Sequence, residues 1–263
     1  MDLNQAFATL KHSKQITVGA IWFQGRSLFG GVTAALMFAK LQHVLAQAHR
    51  LRSMTVNFVA PIDAASPVEL DARILRRGKS VVQGEVHLLQ NGETAAVMLA
   101  SFGAARPSQA LQTDLPPPPK WPPPDTLLSK KDLNGLPLSF LHYLDLRWAQ
   151  GAEAFSGAQN ASFGAYTRFQ NQQGAFTLAH LIALADSFPP SPSGLLKHIA
   201  RMSSLTWTLE LLHEPENIGM EDFWQYQVAT DYAAEGYGHS EARMWDKNGR
   251  LTLISRQTVT LFG

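Results

Sequence analysis

The chain has 263 residues, of which 45% are hydrophobic and 16% are charged, and its formal net charge at pH 7 is +1. This length and composition suffice for a substantial core in one large domain or two small ones. The near-neutral charge gives no signal for nucleic-acid binding. The absence of cysteine excludes disulfides, thiolate chemistry and cysteine-ligated zinc, and it fits a reducing compartment.

The amino-terminal residues and the distribution of apolar residues give no targeting or membrane signal. Residues 1–20 lack a charged region followed by an apolar run, so no signal peptide is expected. The sequence contains no stretch of about 20 apolar residues, so no membrane span is expected. We therefore predict a cytoplasmic protein that binds neither membranes nor nucleic acid.

The first half of the sequence predicts one long helix among several strands. Residues 14–23 are typical of a strand, and residues 25–31 of a turn-rich loop. Residues 32–49 carry apolar side chains at helical spacing without glycine or proline, which predicts a long, largely buried helix. Four more strands, separated by turn residues, are predicted over residues 53–61, 67–77, 80–90 and 93–103.

A proline-rich segment follows the first half. Residues 116–124 contain seven prolines, which favour an extended polyproline conformation and cannot donate hydrogen bonds to a sheet. Because the segment lies midway between two similar halves, we interpret residues 107–134 as a semi-rigid connector rather than as a ligand for a proline-recognition domain. The two units that it joins are then residues 1–106 and 135–263.

The second half repeats the order of elements in the first. Residues 173–188 predict a helix that ends before Pro189 and Pro190. Each half thus has one long helix and several antiparallel strands. This arrangement indicates two α+β halves that pair side by side. The strands of this half are predicted over residues 139–151, 161–170, 203–215, 223–236, 237–247 and, after an Asn-Gly turn, up to residue 263.

The last strand contains a polar residue that its counterpart in the first half lacks. An Asn-Gly turn opens both residues 91–103 and residues 248–263. Counting from the glycine of each turn, Gln257 takes the place of Ala100. A buried amide has to find hydrogen-bond partners. The repeat therefore predicts a polar site in the second unit.

These motifs, in this order, resemble those of the double hot-dog acyl-CoA thioesterases, the thioesterase II-like group. The resemblance covers about residues 14–263. It implies an α+β double hot-dog fold, in which each unit wraps an antiparallel sheet around a long helix. It also implies acyl-CoA hydrolysis in fatty acid metabolism, no cofactor and a homo-oligomer. The matching motifs are FGGVTAALMFAK, SMTVNFVAP, RRGKS and NGETAAVMLASFG in the first half, and ALADS, SSLTWTLELLHEP, DFW and NGRLTLISRQ in the second.

The resemblance places a catalytic set on Asp186, Thr206 and Gln257. In this family an aspartate on the second long helix acts with a hydroxyl on the next strand and a glutamine on the last strand. Ser204 is the alternative for the hydroxyl, because Ser204, Thr206 and Thr208 would share one face of a regular strand. A carboxylate can act as general base on a bound water, while the amide and the hydroxyl hold that water in place.

Substrate-binding groups are expected near the helix starts. Gly30 and Gly31, before the first long helix, would supply backbone N–H donors to an oxyanion, and Gly174 is the competing donor site. Three basic residues could bind the phosphates of CoA or could equally form a solvated strand end: Arg76, Arg77 and Lys79. Four apolar residues could line an acyl tunnel or belong to a plain core: Met37, Phe38, Leu181 and Leu184.

Other functions are compatible with parts of the sequence. A non-catalytic acyl- or acyl-CoA-binding protein could keep the same fold. A hot-dog hydratase pairs an acidic residue with a histidine, but His180 precedes Asp186 by six residues and would lie on a nearly opposite helix face. A metal hydrolase is disfavoured because the nine histidines lack HxH or HExxH spacing, so no metal site is predicted.

Overall fold

The computed structural model describes residues 2–45, 49–130 and 138–262. Its helices are α1 (Leu3–Leu10), α2 (Gly30–Leu45) and α3 (Leu178–Leu184). The first half contributes β1 (Gln15–Ile16), β2 (Phe23–Gln24), β3 (Ser27–Leu28), β4 (Arg50–Phe58), β5 (Val68–Arg77), β6 (Val81–Gln90) and β7 (Glu93–Gly103). The second half contributes β8 (Leu144–Gly151), β9 (Phe163–Phe169), β10 (Arg201–Leu211), β11 (Trp224–Ala234), β12 (Tyr237–Trp245) and β13 (Leu251–Phe262).

One antiparallel sheet runs through both halves of the described chain. Its eleven strands follow the order β1-β5-β6-β7-β4-β10-β13-β12-β11-β9-β8, while β2 and β3 form a separate short ribbon. The two halves meet where β4 pairs with β10, with Ser53 opposite Glu210 and Asn57 opposite Thr206. The predicted α+β architecture, with a helix and antiparallel strands in each half, is confirmed.

The helix α2 forms the centre of the first half. It is apolar on nearly every face, and eleven of its residues are buried against the sheet, α1 and α3. Its observed start at Gly30 extends the prediction by two residues, and residues 46–48 of the predicted helix lie outside the described part of the chain. The strands predicted after it are confirmed, with β4 starting three residues early.

Two predicted strands are shorter than expected. Residues 14–23 form only β1, a 3₁₀ helix at Ala20–Trp22 and the start of β2. Residues 139–143 form another 3₁₀ helix ahead of β8. The two segments pack on each other, because the Trp22 and Tyr143 rings stack with centroids 4.6 Å apart. Aromatic packing between the halves thus occurs where the sequence predicted parts of two strands.

The second long helix is also shorter than the prediction of residues 173–188. It begins after Thr177, whose backbone N–H donates to the His180 side chain in a capping box. The residues before it are tied to α1, since the Asn4 side chain donates to the Gln173 carbonyl at 2.6 Å. Gly174 follows with a left-handed φ of +92°, which a continuing helix does not accept.

The proline-rich connector lies on the outer face of the second half, opposite α3. The indole of Trp121 packs so closely on Gly164 of β9 that a Cβ there would overlap the ring. Trp245 Nε1 and Gln225 Nε2 donate to the carbonyls of Pro116 and Pro119, at 2.9 and 3.0 Å. The connector therefore packs against the outer face of the sheet and is hydrogen-bonded to it. The boundary predicted between residues 134 and 135 lies outside the described residues, and the division into units stays a prediction.

Candidate active site

Three polar side chains from different elements meet beside α3. Gln257, on β13, points its amide into the layer between sheet and helices. Its Nε2 atom donates to Asp186 Oδ1 at 3.1 Å and to Ser204 Oγ at 2.9 Å. Asp186 follows α3, and Ser204 lies on β10. The partners of this half-buried amide are thus a carboxylate and a hydroxyl.

An irregularity in β10 decides which hydroxyl joins this group. The pairing of β10 with β13 shifts register between Ser204 and Thr206, which marks a β-bulge. Ser204 lies opposite the buried Val259, on the face that also carries Gln257. Thr206 lies opposite Thr258, on the outer face of the sheet. The prediction that Ser204 shares a face with Thr206 and Thr208 is wrong, because the bulge between Ser204 and Thr206 reverses the alternation.

Asp186 is a carboxylate with a strongly shifted proton affinity. Burial raises the pKa of Asp186 to about 7, and hydrogen bonds from the Gln257 side chain and the Gly31 backbone oppose part of that rise. Asp186 as a whole residue is only partly buried. A carboxylate with these properties can accept a proton near neutral pH from a water that reaches it.

The start of α2 brings the first half of the chain to the same carboxylate. A Cβ on Gly30 would lie 2.7 Å from Asp186 Oδ2, and a Cβ on Gly31 would lie 2.5 Å from the Ala183 carbonyl oxygen. Both positions therefore require glycine for steric reasons. The helix end places partial positive charge next to Asp186. The site thus lies between the two halves of the chain.

Tyr226 borders this site and was not found by sequence reasoning. It lies on β11 with its side chain buried, and burial, followed by the nearby charge of Asp186, raises the pKa of its hydroxyl. A tyrosine in a strand is ordinary, so the sequence contains no signal that singles it out. Only the pairing of β11 with its neighbours brings Tyr226 to the face that carries the site.

Several other candidate residues lie away from Asp186. Arg77 Nη1 donates to the Leu45 carbonyl at the far end of α2, about 24 Å from Gly30 by the length of a 16-residue helix. His180 is fully buried among Phe7, Phe169 and Phe176. Burial lowers the pKa of His180 to about 4, so it is neutral near pH 7.

The four residues predicted to line a tunnel or to form a plain core have no solvent exposure: Met37, Phe38, Leu181 and Leu184. Within the described ranges, no group of three or more acidic or histidine residues is arranged to hold a metal ion. Over those same ranges, the helices are too short or too polar to cross a bilayer.

Family descriptions match most of the sequence. Residues 19–103 match the acyl-CoA thioesterase N-terminal domain, and residues 113–261 match the acyl-CoA thioesterase C-terminal domain. A comparison with curated proteins finds no match.

Solved structures share the fold over most of the chain. A hot-dog protein of unknown function from Alicyclobacillus acidocaldarius is 24% identical, with a TM-score of 0.84 and 98% of both chains covered. The tesB protein of Mycobacterium avium subs paratuberculosis is 16% identical, with a TM-score of 0.77 over 99% of this chain and 100% of that one. An acyl-CoA thioesterase II from Mycobacterium marinum is 18% identical, with a TM-score of 0.71 over 89% and 90%. The predicted double hot-dog fold is thereby confirmed.

Proposed function

The chain belongs to the acyl-CoA thioesterase family, whose N-terminal and C-terminal domains it carries in one polypeptide, and we propose that it hydrolyses acyl-CoA thioesters to a carboxylic acid and free CoA. One observation carries the proposal. The amide of Gln257 joins a hydroxyl to a carboxylate whose pKa is raised to about 7. A base with this pKa suits the activation of water at neutral pH.

Asp186 is the general base of the proposed reaction. Its carboxylate takes a proton from a water molecule, and the water oxygen attacks the carbonyl carbon of the thioester. The tetrahedral intermediate collapses with cleavage of the carbon–sulfur bond, and the departing thiolate receives the proton from Asp186. No covalent acyl-enzyme is needed, because a thioester carbonyl is already electrophilic.

Gln257 and Ser204 position the water. The Gln257 amide uses its hydrogens on Asp186 and Ser204, so it holds the carboxylate and the hydroxyl in a constant relation. The Ser204 hydroxyl can then hydrogen bond to the attacking water. This is a positioning contribution, which lowers the entropic part of the barrier. Thr206, on the outer face, has no part in this mechanism.

The N-terminus of α2 stabilises the negative charge in each stage. Before the reaction the charge is on Asp186, towards which the Gly31 N–H is directed. When Asp186 takes the proton, the charge moves to the carbonyl oxygen of the substrate. The dipole of α2 then acts on that oxygen, with the backbone of Gly30 and Gly31 as the surface that it approaches.

The test is thiol release from a panel of acyl-CoAs by wild type and by Asp186→Asn. We expect the wild type to release CoA and Asp186→Asn to lose about a hundredfold or more in kcat, the size of a general-base contribution. Asp231→Asn is the matched control, since Asp231 is an exposed aspartate of the same unit, 3.5 Å from Arg256. Equal rates for wild type and Asp186→Asn would remove Asp186 from the mechanism.

A folded wild type that binds acyl-CoA without releasing thiol would instead support the non-catalytic acyl-binding function. The proposal further includes a cytoplasmic role in fatty acid metabolism and assembly into a homo-oligomer. Light scattering on the purified full chain tests the assembly, and a monomer at working concentrations would contradict it.

A further inference from the structure

Four aromatic rings form one packed cluster inside the second unit, which we call the ring cluster: Trp148, Phe163, Phe188 and Tyr226. Phe188 is its centre. Its ring centroid lies 5.1 Å from that of Trp148, 5.6 Å from that of Phe163 and 4.9 Å from that of Tyr226. Trp148 and Phe163 also stack, at 5.0 Å. These are contact distances for aromatic rings.

The ring cluster adjoins the candidate active site. Phe188 follows Asp186 by two residues, and the turn between them is fixed by the buried Ser187 hydroxyl, which donates to Thr167 Oγ1 at 3.1 Å. Tyr226 lies near enough to Asp186 for the charge of the carboxylate to act on its hydroxyl. The ring cluster therefore lies next to the position that the proposed mechanism gives to the thioester carbonyl of the substrate.

Three of the four rings are buried. Phe163 and Phe188 are each 5% exposed and Tyr226 is 8% exposed, whereas Phe38 in α2 is 0% exposed. Trp148 is only partly buried. Phe163, Phe188 and Tyr226 are thus packed with almost no space between them, and Trp148 lies at the edge of the ring cluster.

A second pair of rings is packed beside the start of α2, which also adjoins Asp186. Phe29, at the start of α2, would contact a Cβ on Gly31 at 2.8 Å, and its ring stacks on Phe140 with centroids 4.3 Å apart. Both of these rings are almost fully buried. An acyl chain that extends from Asp186 towards the ring cluster, or towards Phe29 and Phe140, must displace an aromatic ring.

We propose that the ring cluster is the end wall of the acyl-binding pocket, that it restricts the enzyme to short acyl groups, and that Phe188 sets the limit. This inference rests on the proposed thioesterase function and adds the substrate class. Each methylene that finds room in an apolar pocket improves kcat/KM by roughly fourfold. A chain that meets the wall gains nothing from further methylenes and loses by the displacement of a ring.

The experiment compares kcat/KM for straight-chain acyl-CoAs from acetyl to palmitoyl. We expect the wild type to prefer a short chain and to decline steeply beyond it. Phe188→Ala should move the preferred length up by about four methylenes and raise the ratio of long-chain to short-chain kcat/KM on the order of a hundredfold. Phe188→Leu, which removes less volume, should shift the profile in the same direction by a smaller factor, and it decides the question if Phe188→Ala does not fold.

Phe169→Ala is the matched control. Phe169 lies at the other end of β9 from Phe163, about 20 Å away along the strand, and packs on Phe176 and His180. It should leave the chain-length profile unchanged. An equal shift in Phe169→Ala would overturn the inference, because general loosening would then explain the change.

The outcomes separate this inference from the proposed function. Hydrolysis with a preference for long chains in the wild type would overturn the inference and leave the thioesterase function standing. An unchanged profile in folded Phe188 variants would do the same. Absence of hydrolysis with every acyl-CoA would overturn the proposed function, and the inference with it.

Discussion

The amide nitrogen of Gln257 lies 3.1 Å from Asp186 Oδ1 and 2.9 Å from Ser204 Oγ, although 71 and 53 residues separate it from these two partners in the chain. A primary amide has two N–H groups, so it can donate to both at once. The relation explains why the final strand carries glutamine where the first repeat carries Ala100. It also links a base to a hydroxyl through one rigid group.

The first prediction concerns the choice between the two hydroxyls of β10. Ser204→Ala should lower kcat by about tenfold or more, because the water loses a positioning group. Thr206→Val should leave kcat near that of wild type, since Thr206 lies on the outer face, opposite Thr258. Steady-state kinetics with one acyl-CoA measures both. The opposite pattern would assign the role to Thr206 and contradict the bulged register.

A second prediction concerns the pH dependence of the reaction. Asp186 must be deprotonated to act as base, and its pKa is raised to about 7. The kcat/KM value should therefore rise with pH through about 7 and become constant above it. Gln257→Ala removes a hydrogen bond that lowers this pKa, so the rising part of its profile should move to higher pH as kcat falls. Gln83→Ala, at an exposed glutamine of β6, should not move it.

Asp186 should also make the stability of the fold depend on pH. Stability should fall as pH rises, whereas kcat/KM rises. The pKa of Asp186 is higher in the folded chain than in the unfolded one, so its contribution to stability is present below about pH 4 and is lost as pH rises through about 7. The free energy of unfolding of Asp186→Asn, relative to that of wild type, should thus increase from pH 4 to pH 8, by at most about 4 kcal/mol. Urea unfolding at both pH values measures the difference. An equal difference at the two values would show that the pKa is not raised.

Gly30 should be intolerant of any side chain. A methyl group there would lie 2.7 Å from Asp186 Oδ2, so Gly30→Ala must displace the carboxylate or the start of α2. We expect a loss of kcat on the order of tenfold to a hundredfold. Gly103→Ala is the control, because its Cβ would meet the Arg52 side chain at an ordinary 3.4 Å. Full activity in a folded Gly30→Ala would argue against close approach of the helix start to the base.

The connector should contribute to the stability of the second unit. Trp121 packs on Gly164 and edge-on against Tyr166, with ring centroids 5.7 Å apart. Trp121→Ala should lower the free energy of unfolding by about 1–3 kcal/mol. Leu111→Ala, at a residue of the same connector that is 82% exposed, should have little effect. Equal and small effects would show that the semi-rigid connector adds no stability to the second unit.

Much of the architecture could be predicted from the sequence by local pattern. The buried helix α2 and the strands β4 to β7 follow from hydrophobic period and turn residues, which act within a few positions of the chain. The repeat with Ala100 also singled out Gln257, because a polar residue in an apolar strand is a local anomaly. The resemblance added Asp186, and the structure places it with Gln257.

The tertiary structure decided what depends on contacts between distant residues. The start of α3 at Thr177 depends on α1, which holds the residues before it. The β-bulge beside Ser204 is a property of the pairing of β10 with β13, and no period-2 pattern in β10 alone reveals it. The raised pKa of Asp186 results from surrounding atoms of both halves. The sequence by itself determined α2 and most of the long strands, because those preferences are local. Which side chains meet, and therefore which hydroxyl faces the base, was decided only when the sheet paired and its register was set.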